Sequence, residues 1–235
     1  MAAVKKHDFV EIECTAKIKE DGTIFDTTEE KIAEKNGLHD KNSDYSPVII
    51  CVGENNILKG LEDQIIGKEA GKEYKFEIES ENAFGKRNAK LIQLIPTNKF
   101  RQQNIQPIPG LQLNIDGMFG VVKTVSGGRC MVDFNHPLAG KDLIYDVKIK
   151  KIVDDNAEKL KSLLKIHLQI KDAEIELSEK SNASERSETR SQLTANIKSK
   201  QNIPKQAQDD FKKIVEHTIP GIKNVVFTIL QEKNK

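Results

Sequence analysis

The chain has 235 residues, of which 37% are apolar and 31% are charged, a composition typical of globular proteins with one or two domains. Its 37 basic and 36 acidic residues nearly cancel, which argues against a nucleic-acid or membrane binder that works through bulk charge. Three scattered cysteines and five isolated histidines predict free thiols, no metal site and no cofactor. With no signal-peptide pattern and no apolar run of about 20 residues, the sequence predicts a cytoplasmic protein.

Residues 1–86 have the pattern of an antiparallel sheet that holds one helix. Alternating apolar and polar residues predict strands at 9–18, 24–26, 47–52 and 73–80. Ile57, Leu61 and Ile65 recur at helical spacing before Gly67. Thr27 and Glu30 have capping-box spacing and predict a short helix that ends at Gly37. Hairpins rather than βαβ crossovers join these strands, so the class is α+β.

Residues 87–137 change in character. Short strands are predicted at 91–95, 111–115, 118–125 and 129–134, with turn-rich sequence between the first two. Gly127 and Gly128 mark a tight hairpin, and a long strand follows at 143–153. The pattern predicts a small all-β unit inserted into a loop of the first domain.

Residues 154–235 predict a C-terminal α/β extension. Helices are expected around Leu160 to His167 and from Pro204 to Thr218, with strands at 173–177, 192–197 and 222–230. Residues 178–188 are expected to form a polar loop.

Four segments in order resemble motifs of FKBP-type peptidyl-prolyl cis-trans isomerases. They are 20–28 (EDGTIFDTT), 52–62 (VGENNILKGLE), 82–85 (NAFG) and 134–143 (FNHPLAGKDL). The last is similar to the signature of the SlyD-like branch, which carries an insert-in-flap chaperone domain between the last two motifs. The longer loop after Asp26 and the C-terminal extension resemble the archaeal long-type subgroup.

The resemblance implies three parts and two activities. Residues 1–86 and 138–153 would form the isomerase domain, 87–137 the insert-in-flap chaperone domain, and 154–235 an accessory domain that could form a homodimer. The implied function is a peptidyl-prolyl cis-trans isomerase with holdase activity, acting on prolyl peptides and on unfolded or partly folded polypeptides. The alternative is a non-catalytic chaperone or interaction scaffold.

The resemblance also places the site. Asp26, the backbone N–H of Leu58 and Tyr145 would be the catalytic groups. The substrate-binding walls would be Phe25, Val48, Ile50, Ile57, Leu61 and Phe84. By themselves the same residues are compatible with ordinary roles: Asp26 in a turn, Tyr145 in strand packing and the apolar ones in a core. Thr15 and Leu61 stand where relatives have aromatic residues, which predicts a shallower pocket.

The insert holds more apolar surface than about 50 residues can comfortably bury. The residues proposed as a chaperone surface are Ile105, Ile108, Leu111, Leu113, Met118, Phe119 and Val121. Exposed Met and Phe suit reversible contact with unfolded chains. For most of the seven, the favoured interpretation is that they close the insert's own small barrel. Met118 and Phe119, between Gly117 and Gly120, are the candidate exposed tip.

Overall fold

The computed structural model describes residues 2–115, 117–180 and 192–230. Within these ranges the chain forms two compact units. The first unit takes in the described parts of 1–17, 24–76 and 145–235, and the second takes in 18–23 and 77–144. The C-terminal residues therefore share a unit with the strands of the predicted isomerase domain.

The described residues contain twelve strands and five α-helices. The strands are β1 (Phe9–Ile18), β2 (Ile24–Thr27), β3 (Val48–Cys51), β4 (Glu73–Ile78), β5 (Ile92–Pro96), β6 (Gln112–Ile115), β7 (Met118–Ser126), β8 (Arg129–Asp133), β9 (Leu143–Val153), β10 (Ala173–Lys180), β11 (Gln192–Ser199) and β12 (Ile222–Ile229). The helices are α1 (Glu30–Lys35), α2 (Lys59–Ile65), α3 (Thr97–Gln102), α4 (Asn156–Leu168) and α5 (Lys205–Thr218). In the described part of the chain, no helix is long and apolar enough to cross a membrane.

A five-stranded sheet forms the base of the first unit. Its order is β2-β1-β9-β4, and β3 also pairs with β1. Both β2 and β3 run antiparallel to β1. The predicted mixed α+β class with antiparallel sheets is confirmed.

A second sheet in the same unit has the order β10-β11-β12. Strands β11 and β12 pair in parallel, and helix α5 connects them along the chain. Helices α4 and α5 share one buried core with the first sheet, in which Phe9 and Cys51 pack in the same cluster as Leu160, Leu163 and Phe211. The side chain of Asp155 caps α4 by accepting a hydrogen bond from the Glu158 N–H at 2.7 Å. The loop predicted at 178–188 lies outside the described residues from 181 on, and residues 178–180 belong to β10.

The second unit is built on a four-stranded sheet in the order β5-β8-β7-β6. Gly127 and Gly128 both have positive φ and turn β7 into β8, as the sequence predicts. Helix α3 was not predicted. It is short and contributes one buried side chain, Phe100, to the core of this unit, so tertiary packing rather than a periodic pattern holds it.

The predicted capping box at Thr27 to Glu30 does not form. Helix α1 begins at Glu30 without a side-chain cap. The hydroxyl of Thr28 instead accepts a hydrogen bond from the Cys14 N–H at 2.9 Å, and the hydroxyls of Thr27 and Thr15 bond at 2.9 Å. The Thr27 and Thr28 hydroxyls therefore form hydrogen bonds to strand β1 and do not cap helix α1.

Candidate functional site

A pocket of about 650 Å³ opens in the first unit. Four residues that the sequence predicts for the site line it: Phe25, Asp26, Val48 and Ile57. They come from β2, from β3 and from the segment that precedes α2. Because β2 and β3 both pair with β1, the sheet itself fixes the distance between the Phe25 and Val48 walls.

The other predicted walls of the first unit are buried. Ile50 is 0% exposed and Leu61 is 1% exposed, and neither lines the pocket. Thr15 does not line the pocket either. The strand residues that do are Ile12 and Cys14, which belong to the alternating apolar face that the sequence shows on the first strand.

Tyr145 stands beside the pocket on β9. It is 6% exposed, and its ring meets that of Phe25 edge-on with the centroids 6.3 Å apart. Burial, then the charge of Asp26, then Cys14 raise the pKa of the phenol. The hydroxyl is therefore neutral at physiological pH and can donate a hydrogen bond.

Asp26 places a carboxyl group at the wall of the pocket. Its side chain is exposed at the pocket, on the strand β2, opposite Ala16 of β1. Burial, followed by the Asp26 carboxylate, raises the pKa of the Cys14 thiol to about 12. Cys14 is thus a protonated, unreactive part of the wall at neutral pH.

Leu58 is the N-cap residue of α2. Its carbonyl accepts hydrogen bonds from the N–H groups of Leu61 and Glu62 at 2.9 and 3.0 Å. In the described part of the chain, the Leu58 N–H makes no backbone hydrogen bond of its own. A helix start leaves such donors available to a ligand carbonyl.

Phe84 belongs to the second unit, where its ring stacks on His136 with centroids 4.4 Å apart and planes 4° from parallel. Its assignment to the pocket wall stays a prediction.

No pattern in the sequence pointed to the other residues that line the pocket. Leu38, Asp44 and Tyr45 come from the loop after α1, and Lys165, Gln169 and Lys171 come from α4 and the segment after it. Lys165 Nζ lies 2.6 Å from Asp44 Oδ2, and this bond, followed by one from Ser46, lowers the pKa of Asp44. The C-terminal region therefore contributes a basic edge to a pocket whose floor belongs to the first sheet.

The seven predicted chaperone residues divide into two sets in the second unit. Ile105, Leu111 and Leu113 pack against the core, and Val121 is half-buried. Ile108, Met118 and Phe119 are exposed, the last two at 42% and 52%. Leu94, which was not predicted, is 60% exposed.

A groove of about 390 Å³ crosses the same unit. Its apolar lining includes Leu94 and Ile95 from β5, Phe100 from α3, and Leu113 and Ile115 from β6. Both β5 and β6 are edge strands of the sheet. Gln93, Lys99, Gln103 and Asn114 also line it, so the groove is of mixed polarity. A groove beside strand edges can accept an extended peptide through side-chain burial and backbone pairing.

Comparison with known proteins gives the following similarities. Residues 93–138 match the family model described as FKBP26, IF domain. The chain is 30% identical over 155 residues to a short-type peptidyl-prolyl cis-trans isomerase of Methanocaldococcus jannaschii, covering 66% of this chain and 98% of that protein. It is 38% identical over 115 residues to a probable FKBP-type 16 kDa peptidyl-prolyl cis-trans isomerase of Pseudomonas fluorescens, covering 47% and 75%. It is 28% identical over 134 residues to the FKBP-type isomerase SlyD of Vibrio cholerae, covering 55% and 66%.

Proposed function

The chain belongs to the FKBP-type peptidyl-prolyl cis-trans isomerases, in the SlyD-like branch with an insert-in-flap domain, and we propose that it isomerises X-Pro bonds of polypeptides in the pocket of the first unit. The observation that carries this placement is an apolar wall of Phe25, Val48 and Ile57 with the Asp26 carboxylate at its side. That arrangement suits a proline ring and the amide that precedes it.

The pocket chemistry fits the reaction because no bond is broken. Rotation about the prolyl amide is opposed by about 18–20 kcal/mol of C–N resonance. The twisted transition state has lost the charge separation of the planar amide, so a surface that excludes water favours it over the ground state. Such catalysis needs no nucleophile and no general base.

Three groups hold the substrate in this proposal. The Leu58 N–H donates to the carbonyl ahead of the proline, and α2 fixes its direction. The Asp26 carboxylate acts electrostatically beside the twisting amide. The neutral hydroxyl of Tyr145, held against Phe25, is a second donor.

NMR exchange spectroscopy on a short X-Pro peptide tests the proposal, with the protein at catalytic concentration. Ile57→Arg puts a charged side chain into the pocket and is expected to abolish acceleration. Ile66→Arg is the matched control, since Ile66 is an apolar residue at the C-terminal end of α2 and is 42% exposed. Acceleration is expected to persist in this variant. Equal activity in both variants would move the site away from this pocket.

We also propose that the second unit holds unfolded or partly folded polypeptides. Its exposed Ile108, Met118 and Phe119 and its groove between β5 and β6 support this, because both offer apolar surface without a partner in the same unit. Tethered to the isomerase, captured chains would present prolyl bonds at high effective concentration.

Replacing residues 88–137 by a short loop separates the two activities. Suppression of aggregation of a denatured client is expected to fall to the level without protein, while peptide isomerisation continues. Unchanged refolding yields would reject the holdase. Aggregation suppression by a full-length protein that leaves prolyl exchange unaffected would instead favour the non-catalytic scaffold.

A homodimer through the C-terminal region is the remaining proposal. Strand β12 lies at a sheet edge, and its Val226 and Ile229 are exposed. Deleting residues 154–235 would be a poor test, because Leu160 and Phe211 belong to the same core as Phe9. Light scattering on the full chain and on Val226→Lys/Ile229→Lys is cleaner: a dimer that becomes a monomer supports the interface, and a wild-type monomer rejects it.

A further inference from the structure

Two histidines and one glutamate meet outside the pocket, in the first unit. His7 precedes β1, Glu54 follows β3, and His217 lies in the last turn of α5. His7 Nδ1 is 3.3 Å from Glu54 Oε1, and His217 Nε2 is 3.2 Å from the same oxygen. All three potential ligand atoms lie within 4.8 Å of one another. The residues are separated along the chain, so only the fold brings them together.

The spacing fits a small transition-metal ion. When imidazole nitrogens and carboxylate oxygens lie about 2.0–2.1 Å from a tetrahedral zinc ion, neighbouring ligand atoms are roughly 3.3–3.4 Å apart. The two separations to Glu54 Oε1, 3.3 and 3.2 Å, are close to this edge length. Imidazole with one carboxylate is a donor set that suits zinc rather than calcium or magnesium.

We propose that His7, Glu54 and His217 bind a divalent transition-metal ion of the zinc class, with water in the fourth position. The side chains of His7 and His217 are 45% and 64% exposed, so an ion can enter from solvent. None of the three lines the pocket described above. The site is therefore separate from prolyl isomerisation.

The backbone around the ligands is already ordered. The His7 N–H donates to the Val52 carbonyl at 2.8 Å, and the Val52 N–H donates to the Asp8 carbonyl at 3.0 Å, which joins the segments that carry His7 and Glu54. The Asn55 N–H donates to Glu62 Oε2 at 3.3 Å. A metal site gains affinity when its ligands are held in place before the ion arrives.

Helix α5 presents the third ligand from a fixed position. Phe211 and Val215 of this helix are buried in the core of the unit, and the Thr218 hydroxyl bonds back to the Ile214 carbonyl at 2.8 Å. Since His7 and Glu54 flank strands of the first sheet, a bound ion would link that sheet to the last helix. Because the ligands converge only in the folded chain, metal binding stabilises the fold.

The test is calorimetric titration of the full-length, metal-free protein with zinc chloride. One equivalent is expected to bind to the wild type. Affinity is expected to fall at least about 100-fold in His217→Ala, His7→Asn and Glu54→Gln. Each removes one of three protein ligands or replaces it by a weak neutral amide, and the loss of an outer-shell partner alone typically costs about 10–100-fold. Asn is chosen at position 7 because His7 has φ 68, a backbone region that Asn tolerates.

His39→Ala is the matched control. His39 lies beside Glu30 and Glu34 in a second cluster of potential ligands among the described residues, and zinc affinity is expected to be unchanged. Stoichiometric binding that disappears in His39→Ala would place the ion there and overturn the proposal. So would wild-type protein that binds no zinc, or a His217→Ala variant that binds it undiminished.

A second measurement separates metal binding from damage to the fold. The melting temperature of the wild type is expected to rise with zinc chloride, whereas that of Glu54→Gln, which keeps the side-chain shape, is expected to stay constant. A rise of equal size in both would show that zinc acts elsewhere. Because the site lies outside the pocket, zinc is expected to leave the rate of peptide isomerisation unchanged.

Discussion

The two units use their apolar residues differently. In the first, Phe9 and Cys51 of the isomerase strands pack in one buried cluster with Leu160 of α4 and Phe211 of α5. In the second, a small core around Phe100 and Val132 leaves Met118 and Phe119 in solvent. The first unit thus has a continuous core behind its pocket, whereas the second unit leaves apolar groups that its core has not used.

The largest loss of stability is expected from a substitution in the buried core of the first unit. Phe211→Ala removes a side chain that is 1% exposed and meets Phe227 edge-on at 5.7 Å. The free energy of unfolding is expected to fall by about 3–5 kcal/mol, measured by urea denaturation. Isomerase activity should disappear in the same transition, because one core serves both regions. Two separate transitions would contradict a shared core.

The second unit is expected to depend on a buried carboxylate. Asp133 is 5% exposed, accepts hydrogen bonds from the N–H and side chain of Asn135, and pairs with Arg87. Burial raises its pKa, but the Asn135 bonds and the Arg87 charge outweigh this, so the net pKa is lowered from 3.8. Asp133→Asn is expected to destabilise the fold by about 1–3 kcal/mol.

The contribution of Asp133 to the stability of the fold depends on pH. Because the folded pKa is depressed, the Asp133 contribution is fully present above the ordinary value of 3.8 and is lost as the pH falls through the folded pKa. Melting curves between pH 2 and 7 should therefore converge for wild type and Asp133→Asn at the acid end. Asp63→Asn, at an exposed position on α2, is the control. Curves that stay parallel down to the lowest pH would refute the assignment.

A smaller change in stability is expected from a substitution at the basic edge of the pocket. The Lys165–Asp44 pair is partly exposed, so Lys165→Glu should change stability by only about 0.2–1 kcal/mol. Its kinetic effect should be selective: the KM for prolyl peptides with acidic neighbours should rise relative to peptides with basic neighbours. Lys161→Glu, exposed on the same helix, should not discriminate. If both variants changed the KM for acidic and basic peptides in the same way, the cause would be the overall charge of the protein and not the position of Lys165.

The smallest change in stability is expected at the exposed tip. Phe119→Ser should alter the free energy of unfolding by no more than about 0.5 kcal/mol, yet weaken aggregation suppression. Ile229→Ser, at a position that is 54% exposed in the first unit, should leave aggregation suppression intact. A loss of stability above 1 kcal/mol in Phe119→Ser would assign Phe119 to the core instead.

Much of the fold follows from local patterns. Alternating apolar and polar residues predict β1, β7 and β9 close to their observed bounds. The turn at Gly127 and Gly128 requires positive φ angles, which glycine readily adopts. Helix α3 and the missing cap of α1 could not be predicted locally, because packing of Phe100 and sheet bonds of Thr28 decide them. Of the predicted pocket walls, Ile50 and Leu61 are buried, and their role at the pocket stays a prediction, because periodicity marks an apolar face without showing what covers it.

Alternating strands joined by hairpins predicted the α+β class from the sequence alone. The resemblance carried by four short motifs implied the FKBP-type family and assigned Phe25, Asp26, Val48 and Ile57 to the site. Only the tertiary structure placed Lys165 beside Asp44, and His217 beside His7 and Glu54. The physical reason is that contacts between distant segments depend on how helices α4 and α5 pack on the sheet. The spacing of residues along the sequence does not predict that packing.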